Sequence, residues 1–133
     1  MAKAFFDTNV LLYLLSSDAA KADRAEQLLA GGGVVGVQVL NEFASVASRK
    51  LKMNWAEIGE TLEAVRVACM VEPLSIEVHD AAVTLVQRYS LSFYDALIAA
   101  AALTGGCDIL YSEDMHDGLI IEGSLTIRNP FKS

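Results

Sequence analysis

Seventeen acidic residues are spread along 133 positions, and most have the spacing of solvated helix faces. Asp7, Glu42, Asp95 and Asp114 fit that reading less well, because each stands beside an apolar segment. Asp7 ends the run Ala4-Phe5-Phe6, and a carboxylate placed directly after a buried strand costs desolvation energy unless a partner or an ion compensates it. Glu42 lies about 40° around a helical wheel from Val46 and borders a face carrying Val39 and Phe43. Asp95 opens the most apolar helical stretch, with Ile98 and Ala99 one turn on. Asp114 follows the strand-like run Cys107–Tyr111, inside Ser112-Glu113-Asp114-Met115-His116-Asp117-Gly118. Each also has an ordinary reading. Asp7-Thr8-Asn9 suits a helix cap, and Ser92-Phe93-Tyr94-Asp95 has capping-box spacing with Asp in place of Glu or Gln. A helix amino terminus eases the charge of Glu42, and Asp117-Gly118 is turn-forming.

Their joint placement carries more than any one of them. In a parallel sheet with short βα connections, strand ends and helix starts share one edge. Asp7 and Asp114 follow strands, and Glu42 follows a strand within its helix. Asp95 follows a helix and a short loop, so its arrival at that edge depends on packing. Four carboxylates gathered there repel and raise one another's pKa unless cations bind. Such oxygen ligands suit Mg²⁺ or Mn²⁺. Two cations roughly 4 Å apart can bind both the attacking and the leaving oxygen of a phosphodiester. In-line attack with the 3′-oxygen leaving would give a 5′-phosphate and a 3′-hydroxyl. His79 and His116 form no cluster with the two cysteines, which disfavours zinc, and metal-activated water needs neither as a base.

The elements that must position these residues alternate. Strands are expected at residues 3–6, 34–37, 70–74, 107–111 and 125–128. Helices are expected at residues 8–16, 20–30, 39–51, 75–89 and 94–103. A further helix starts from the capping box Asn54-Trp55-Ala56-Glu57, with Trp55, Ile58, Leu62, Val65 and Cys69 as its apolar stripe. Gly31-Gly32-Gly33 ends the second helix and lacks the lysine of a phosphate loop. Strand–helix alternation without an Asn-Gly hairpin signal argues for parallel βαβ construction, in one domain over residues 1–133 with three layers.

Bulk composition narrows the classes. Hydrophobic residues make up 53% of the chain, yet the least polar stretch, Ala96 to Leu103, is too short to span a bilayer. Val10 to Leu15 lacks the charged lead-in and cleavage site of a signal peptide. Cys69 and Cys107 are too few for a disulfide framework, and a reducing cytoplasm is the expected location. The net charge of −7 argues at first sight against nucleic acid, but the acids are unevenly placed. Residues 1–53 carry six basic and five acidic groups, against four and twelve beyond. Arg49, Lys50 and Lys52 form a basic cluster that would either complement a helix carboxyl end or hold the phosphates of a nucleic acid.

Phe6-Asp7-Thr8-Asn9, then Asn41-Glu42-Phe43, then Phe93-Tyr94-Asp95-Ala96, then Ser112-Glu113-Asp114 with Asp117, resemble in order and spacing the motifs of PIN-domain nucleases. More narrowly, they resemble the VapC ribonuclease toxins of prokaryotic toxin–antitoxin pairs. The resemblance covers nearly the whole chain. It implies an α/β/α sandwich on a five-stranded parallel sheet, Mg²⁺- or Mn²⁺-dependent endoribonuclease activity, a homodimer and a cognate antitoxin. Asp7, Glu42, Asp95 and Asp114 match the metal-binding quartet, and Asp117 a further acidic position. Thr8, Asn9 and Ser112 match polar positions that orient the carboxylates, with Ser112 where threonine is common. Glu113 adds an acid beside the site that would hinder phosphate approach there.

Other PIN proteins process RNA without an antitoxin, and that is the nearest alternative. A phosphatase using Asp7 as a phosphoaspartate nucleophile needs a second aspartate where this chain has Asn9, and a lysine near the late acids. A non-catalytic interaction module would offer the stripe from Trp55 to Val65 to a partner helix, against burial of that stripe in the domain's own core or in a dimer interface.

Overall fold

Phe5 and Phe6 point to opposite faces of β1 (Ala4–Phe6), and neither is exposed to solvent. Burying a side chain of this size contributes about 1.5–3 kcal/mol, so a strand that does so on both faces requires a layer on each. The computed structural model, which describes residues 2–132, has that form. After β1 come α1 (Thr8–Tyr13), α2 (Ala19–Ala30), β2 (Gly33–Gly36), α3 (Val37–Arg49), α4 (Trp55–Ala68) and β3 (Cys69–Glu72). Then follow α5 (Ile76–Tyr89), α6 (Phe93–Thr104), β4 (Ile109–Tyr111), β5 (Ile120–Ile121) and β6 (Leu125–Arg128). The sheet order is β3-β2-β1-β4-β6-β5. Helices flank it as the three-layer α/β/α sandwich requires. Among the described residues no helix is long and apolar enough to cross a membrane.

The five expected strands all form and pair in parallel. The sheet nevertheless has six strands, because two-residue β5 adds antiparallel to β6 as a hairpin. Its turn holds Glu122 (φ 53°) and Gly123 (φ 68°) in the left-handed region. Glutamate is an uncommon residue there, so the turn lacks the Asn-Gly signature that marks such hairpins in sequence.

Helix α6 is buried continuously from Ala96 to Ala102. Its alanines let the helix lie close to the sheet: a Cβ on Gly36 would stand 3.7 Å from Ala101 Cβ and 3.2 Å from Phe5 Cζ. The capping box of α4 closes as expected, with Glu57 N–H donating to Asn54 Oδ1 at 2.8 Å and Asn54 N–H to Glu57 Oε1 at 3.1 Å. The stripe behind it is only partly internal. Ile58, Val65 and Cys69 are buried, whereas Trp55 is 66% exposed. As the first residue of α4, its side chain leans back past the helix start.

β2 feeds α3 without an intervening residue. Gly36 ends the strand and serves as the extended amino-terminal cap, so α3 begins at Val37, two residues before the expected start. Gly33, at the other end of β2, sits where a Cβ would lie 2.5 Å from Phe6 Cε2 and 2.7 Å from Ala4 O. A carbonyl in the sheet ladder cannot retreat. Gly33→Ala is expected to destabilise the fold by about 1–3 kcal/mol, read as a lower urea midpoint with unchanged slope.

Candidate active site

The strand order has a switch point between β1 and β4. The chain leaves β1 toward β2 on one side, while β4 lies on the other. At such a point the connections diverge and leave a crevice at the strands' carboxyl ends, where ligands bind in open α/β sheets. Asp7 follows β1, and Ser112 to Asp114 follow β4, which places both on the walls of this crevice. Glu42 reaches it from the early turns of α3, and Asp95 from the first turn of α6.

Asp7 is the centre of the hydrogen-bond network. It is 4% exposed. Its Oδ1 accepts from Thr8 N–H at 2.7 Å and its Oδ2 from the Ser112 hydroxyl at 2.6 Å. The same carboxylate thus caps α1 and faces the crevice. The Asn9 amide nitrogen links two acids, donating to Asp114 Oδ2 at 3.1 Å and, at 3.5 Å, to Asp7 Oδ2. Glu42 is held by both oxygens: Thr8 Oγ1 donates to Oε2 at 3.0 Å and Gln38 Nε2 to Oε1 at 2.8 Å. Asp95 N–H donates to Ser92 Oγ at 3.2 Å. No bond returns from the Asp95 carboxylate to the Ser92 backbone, so only half of the capping box forms, and among the described residues the carboxylate has no hydrogen-bond partner.

Burial pushes the Asp7 carboxyl up to about 6, from 3.8, against the lowering effect of its bonds from Ser112 and Thr8. The negative charges of Asp95 and Glu42 add to the rise. Those two acids therefore act on Asp7 through space, while Asp114 joins it through Asn9.

The remaining candidates lie elsewhere. The segment from Ser112 to Gly118 forms bends and a turn rather than a helix, so Asp114 and Asp117 do not share a helical face. Asp117 turns to the carboxyl-terminal segment, where Oδ1 accepts from Asn129 N–H at 2.8 Å and Oδ2 lies 3.7 Å from Lys132 Nζ. That backbone bond, aided by Lys132, holds its carboxyl below the usual value. Asp117→Asn is expected to leave divalent-cation-induced stabilisation unchanged in thermal unfolding, since the side chain is engaged away from the other four. Arg49 ends α3, about 10 Å along the helix axis from Glu42, and Lys50 and Lys52 follow it. His79 packs against Phe93 on an exposed surface.

Glu113 does not crowd the crevice as its sequence position implied. It accepts from Tyr13 OH at 2.6 Å and pairs with Lys21 Nζ at 3.3 Å, so its charge is compensated. Gln38 is a site residue that the sequence reading did not single out. Its spacing of four residues before Glu42 is the signal that was available.

Among the described residues, no ion pair reaches Asp7, Glu42, Asp95 or Asp114. Nor are three acidic, histidine or cysteine side chains drawn into a single ligand cluster. The donor set itself is oxygen-only and anionic, which fits a hard divalent cation rather than zinc.

A mostly parallel α/β sheet with uncompensated carboxylates at its switch point defines the class of domain. The chain belongs to the PIN domain family, whose model matches residues 4–116. The fold is similar to that of a toxin–antitoxin complex from Klebsiella pneumoniae, with TM-score 0.74 and 23% identity over 98% of this chain and 100% of that one. It is also similar to VapC20 from Mycobacterium tuberculosis, described as a sarcin–ricin loop cleaving toxin, with TM-score 0.67 and 22% identity over 84% and 90%. FitAcB from Neisseria gonorrhoeae gives TM-score 0.68 and 15% identity over 96% and 98%. At these identities the likeness is one of fold. Among curated proteins, no sequence relative matches the chain.

Proposed function

We propose that the protein is a Mg²⁺- or Mn²⁺-dependent endoribonuclease that acts as the toxin of a toxin–antitoxin pair, as a homodimer in the cytoplasm. One arrangement carries the nuclease reading: Asp7, buried at the carboxyl end of β1, is joined to Asp114 through Asn9 and lies beside Thr8, which holds Glu42, and no ion pair among the described residues offsets these acids. A site that strains to keep its carboxylates charged gains most from a bound cation. Membership of the PIN domain family and the toxin–antitoxin structures of similar fold support the same reading. Exposed Leu51, Trp55, Val67 and Met70 offer apolar surface to a second copy or an antitoxin.

Asp7, Glu42, Asp95 and Asp114 are the residues that would hold the metal. When bound, divalent cations supply an activated water and stabilisation of the leaving 3′-oxygen. The chain's own part is orientation. Ser112 and Thr8 N–H fix the Asp7 carboxylate, Asn9 couples it to Asp114, and Thr8 with Gln38 prevents Glu42 from rotating. Preset partners of this kind spare the carboxylates the reorganisation that would otherwise accompany the reaction. Cleavage of a labelled RNA should proceed with Mn²⁺, stop with EDTA and fall sharply for Glu42→Gln. Cleavage that persists in EDTA would sink the assignment.

A further inference from the structure

The carboxyl edge of the sheet carries positive as well as negative charge. Arg128 ends β6 in register with Tyr111 of β4, which is in register with Phe6 of β1. Arg128 therefore stands two strand spacings, roughly 10 Å, from the strand that delivers Asp7. Together with Arg24 of α2, Tyr111, Asn129 and Lys132, it lines an open groove of about 600 Å³. Asp117 is the single carboxylate among the described residues lining it.

Lys132 is paired with Asp117, and the two arginines of this groove are positioned rather than spent. Arg24 Nε donates to Pro130 O at 3.0 Å, which anchors the side chain and leaves its terminal amino groups for a ligand. Asp117 already accepts the Asn129 N–H and has only Lys132 as a charged neighbour within 4 Å. Arg128 makes no ion pair among the described residues. Three cations against one acid give local positive charge on a chain of net charge −7. The half-buried Tyr111 ring lies parallel to Phe6, at an interplanar angle of 11° and with centroids 6.1 Å apart, and forms part of the lining. Because Lys21 and Tyr13 compensate Glu113, no free charge of that residue opposes a phosphate passing from the groove to the crevice.

We propose that this groove binds the phosphodiester backbone of a single-stranded RNA segment flanking the bond to be cut. Arg24 and Arg128 take phosphates, and Tyr111 offers a stacking surface for a base. Arginine forks suit phosphate oxygens, and stacking on an aromatic ring favours an unpaired strand over a free anion. The proposal rests on the ribonuclease reading and adds to it the face along which the substrate enters.

The test is fluorescence anisotropy of a short labelled RNA in EDTA over a salt series, comparing the unaltered chain with Arg24→Gln/Arg128→Gln. The double variant should bind more weakly, and its log–log salt slope should be shallower by about 1.4, since each single-strand phosphate contact contributes about 0.7. Arg24→Lys/Arg128→Lys should recover most of the slope, which a merely structural role of the arginines would not produce. Thermal unfolding of both variants checks that the carboxyl-terminal segment stays docked. An unchanged slope in the glutamine variant overturns the proposal, as does failure of the unaltered chain to bind RNA. So does displacement of RNA by a polyglutamate peptide, or by inorganic phosphate at matched ionic strength, as readily as by unlabelled RNA. Cleavage is scored separately. Cleavage indifferent to both arginines, with unchanged binding, removes the groove and leaves the nuclease. Arginine-dependent binding without any cleavage removes the nuclease and leaves the groove.

Discussion

Asp7→Asn is expected to abolish RNA cleavage while making the metal-free protein more stable above pH 6. Replacing an outer partner of a metal ligand commonly costs 10- to 100-fold in affinity or activity, so losing the charge of a central ligand should cost about 100-fold or more. The stability effect has the opposite sign. With its carboxyl raised from 3.8 to about 6, native Asp7 binds more protons than the unfolded chain between those values. Stability therefore falls as pH rises through that window, and the ionised carboxylate costs about 3 kcal/mol above it. Asparagine carries no charge at any of these pH values, and its carbonyl can still accept from Thr8 N–H. In EDTA at about pH 8 the variant should unfold at a higher temperature than the unaltered chain, and at about pH 4 the two should converge. Mn²⁺ should stabilise the unaltered chain and leave the variant unmoved. Undiminished cleavage by Asp7→Asn would end the metal-ligand assignment.

Ser112→Ala should lower both stability and the pH range of activity. The hydroxyl is fully buried, donates to Asp7 Oδ2 and accepts from the backbone N–H groups of Asp114 and Met115, each at 3.2 Å. Alanine leaves two N–H groups without their acceptor, at a cost of about 1–3 kcal/mol for each buried group left unpaired. It also removes the largest influence lowering the Asp7 pKa, which then rises above about 6. A protonated carboxylate does not bind metal, so the acid limb of the cleavage profile should move to higher pH. Ser112→Thr keeps the hydroxyl and should restore both properties. A loss of stability without movement of the acid limb would reduce Ser112 to a structural role.

The acids at strand ends were legible because a buried strand announces its own boundary. Phe5-Phe6 followed by Asp7 states both the burial and the edge, and the run to Tyr111 does the same for Ser112 and Asp114. Asp95 was legible only as an anomaly: what brings it to Asp7 is the packing of α6 against the sheet, which no local pattern records. Lys21 reaches Glu113 across 92 residues of sequence, and Asp117 reaches Asn129 across a hairpin whose turn residue, Glu122, gave no warning. The groove of Arg24, Tyr111, Arg128 and Lys132 was invisible for the same reason, because its cations are scattered along the chain. The run Arg49-Lys50-Leu51-Lys52, contiguous and therefore conspicuous, stands instead at the far end of α3.

The direct passage from β2 into α3 has a consequence for how this gene can vary in length. Glu42 is counted off from the hydrogen-bond ladder of β2, with Gly36 as the zero of the count and no slack between. Inserting or deleting one residue between Gly36 and Glu42 would swing the carboxylate by roughly 100° around the helix axis. Thr8 could then no longer hold it, and an indel after Gln38 would break the Gln38–Glu42 pairing as well. The half-exposed link from Leu14 to Asp18 lies outside that count and can lengthen without changing it. Reading-frame-preserving indels should therefore be purged from residues 37–41 and tolerated at the α1–α2 link, so the domain carries a fixed ruler on one side of its crevice and an adjustable one on the other.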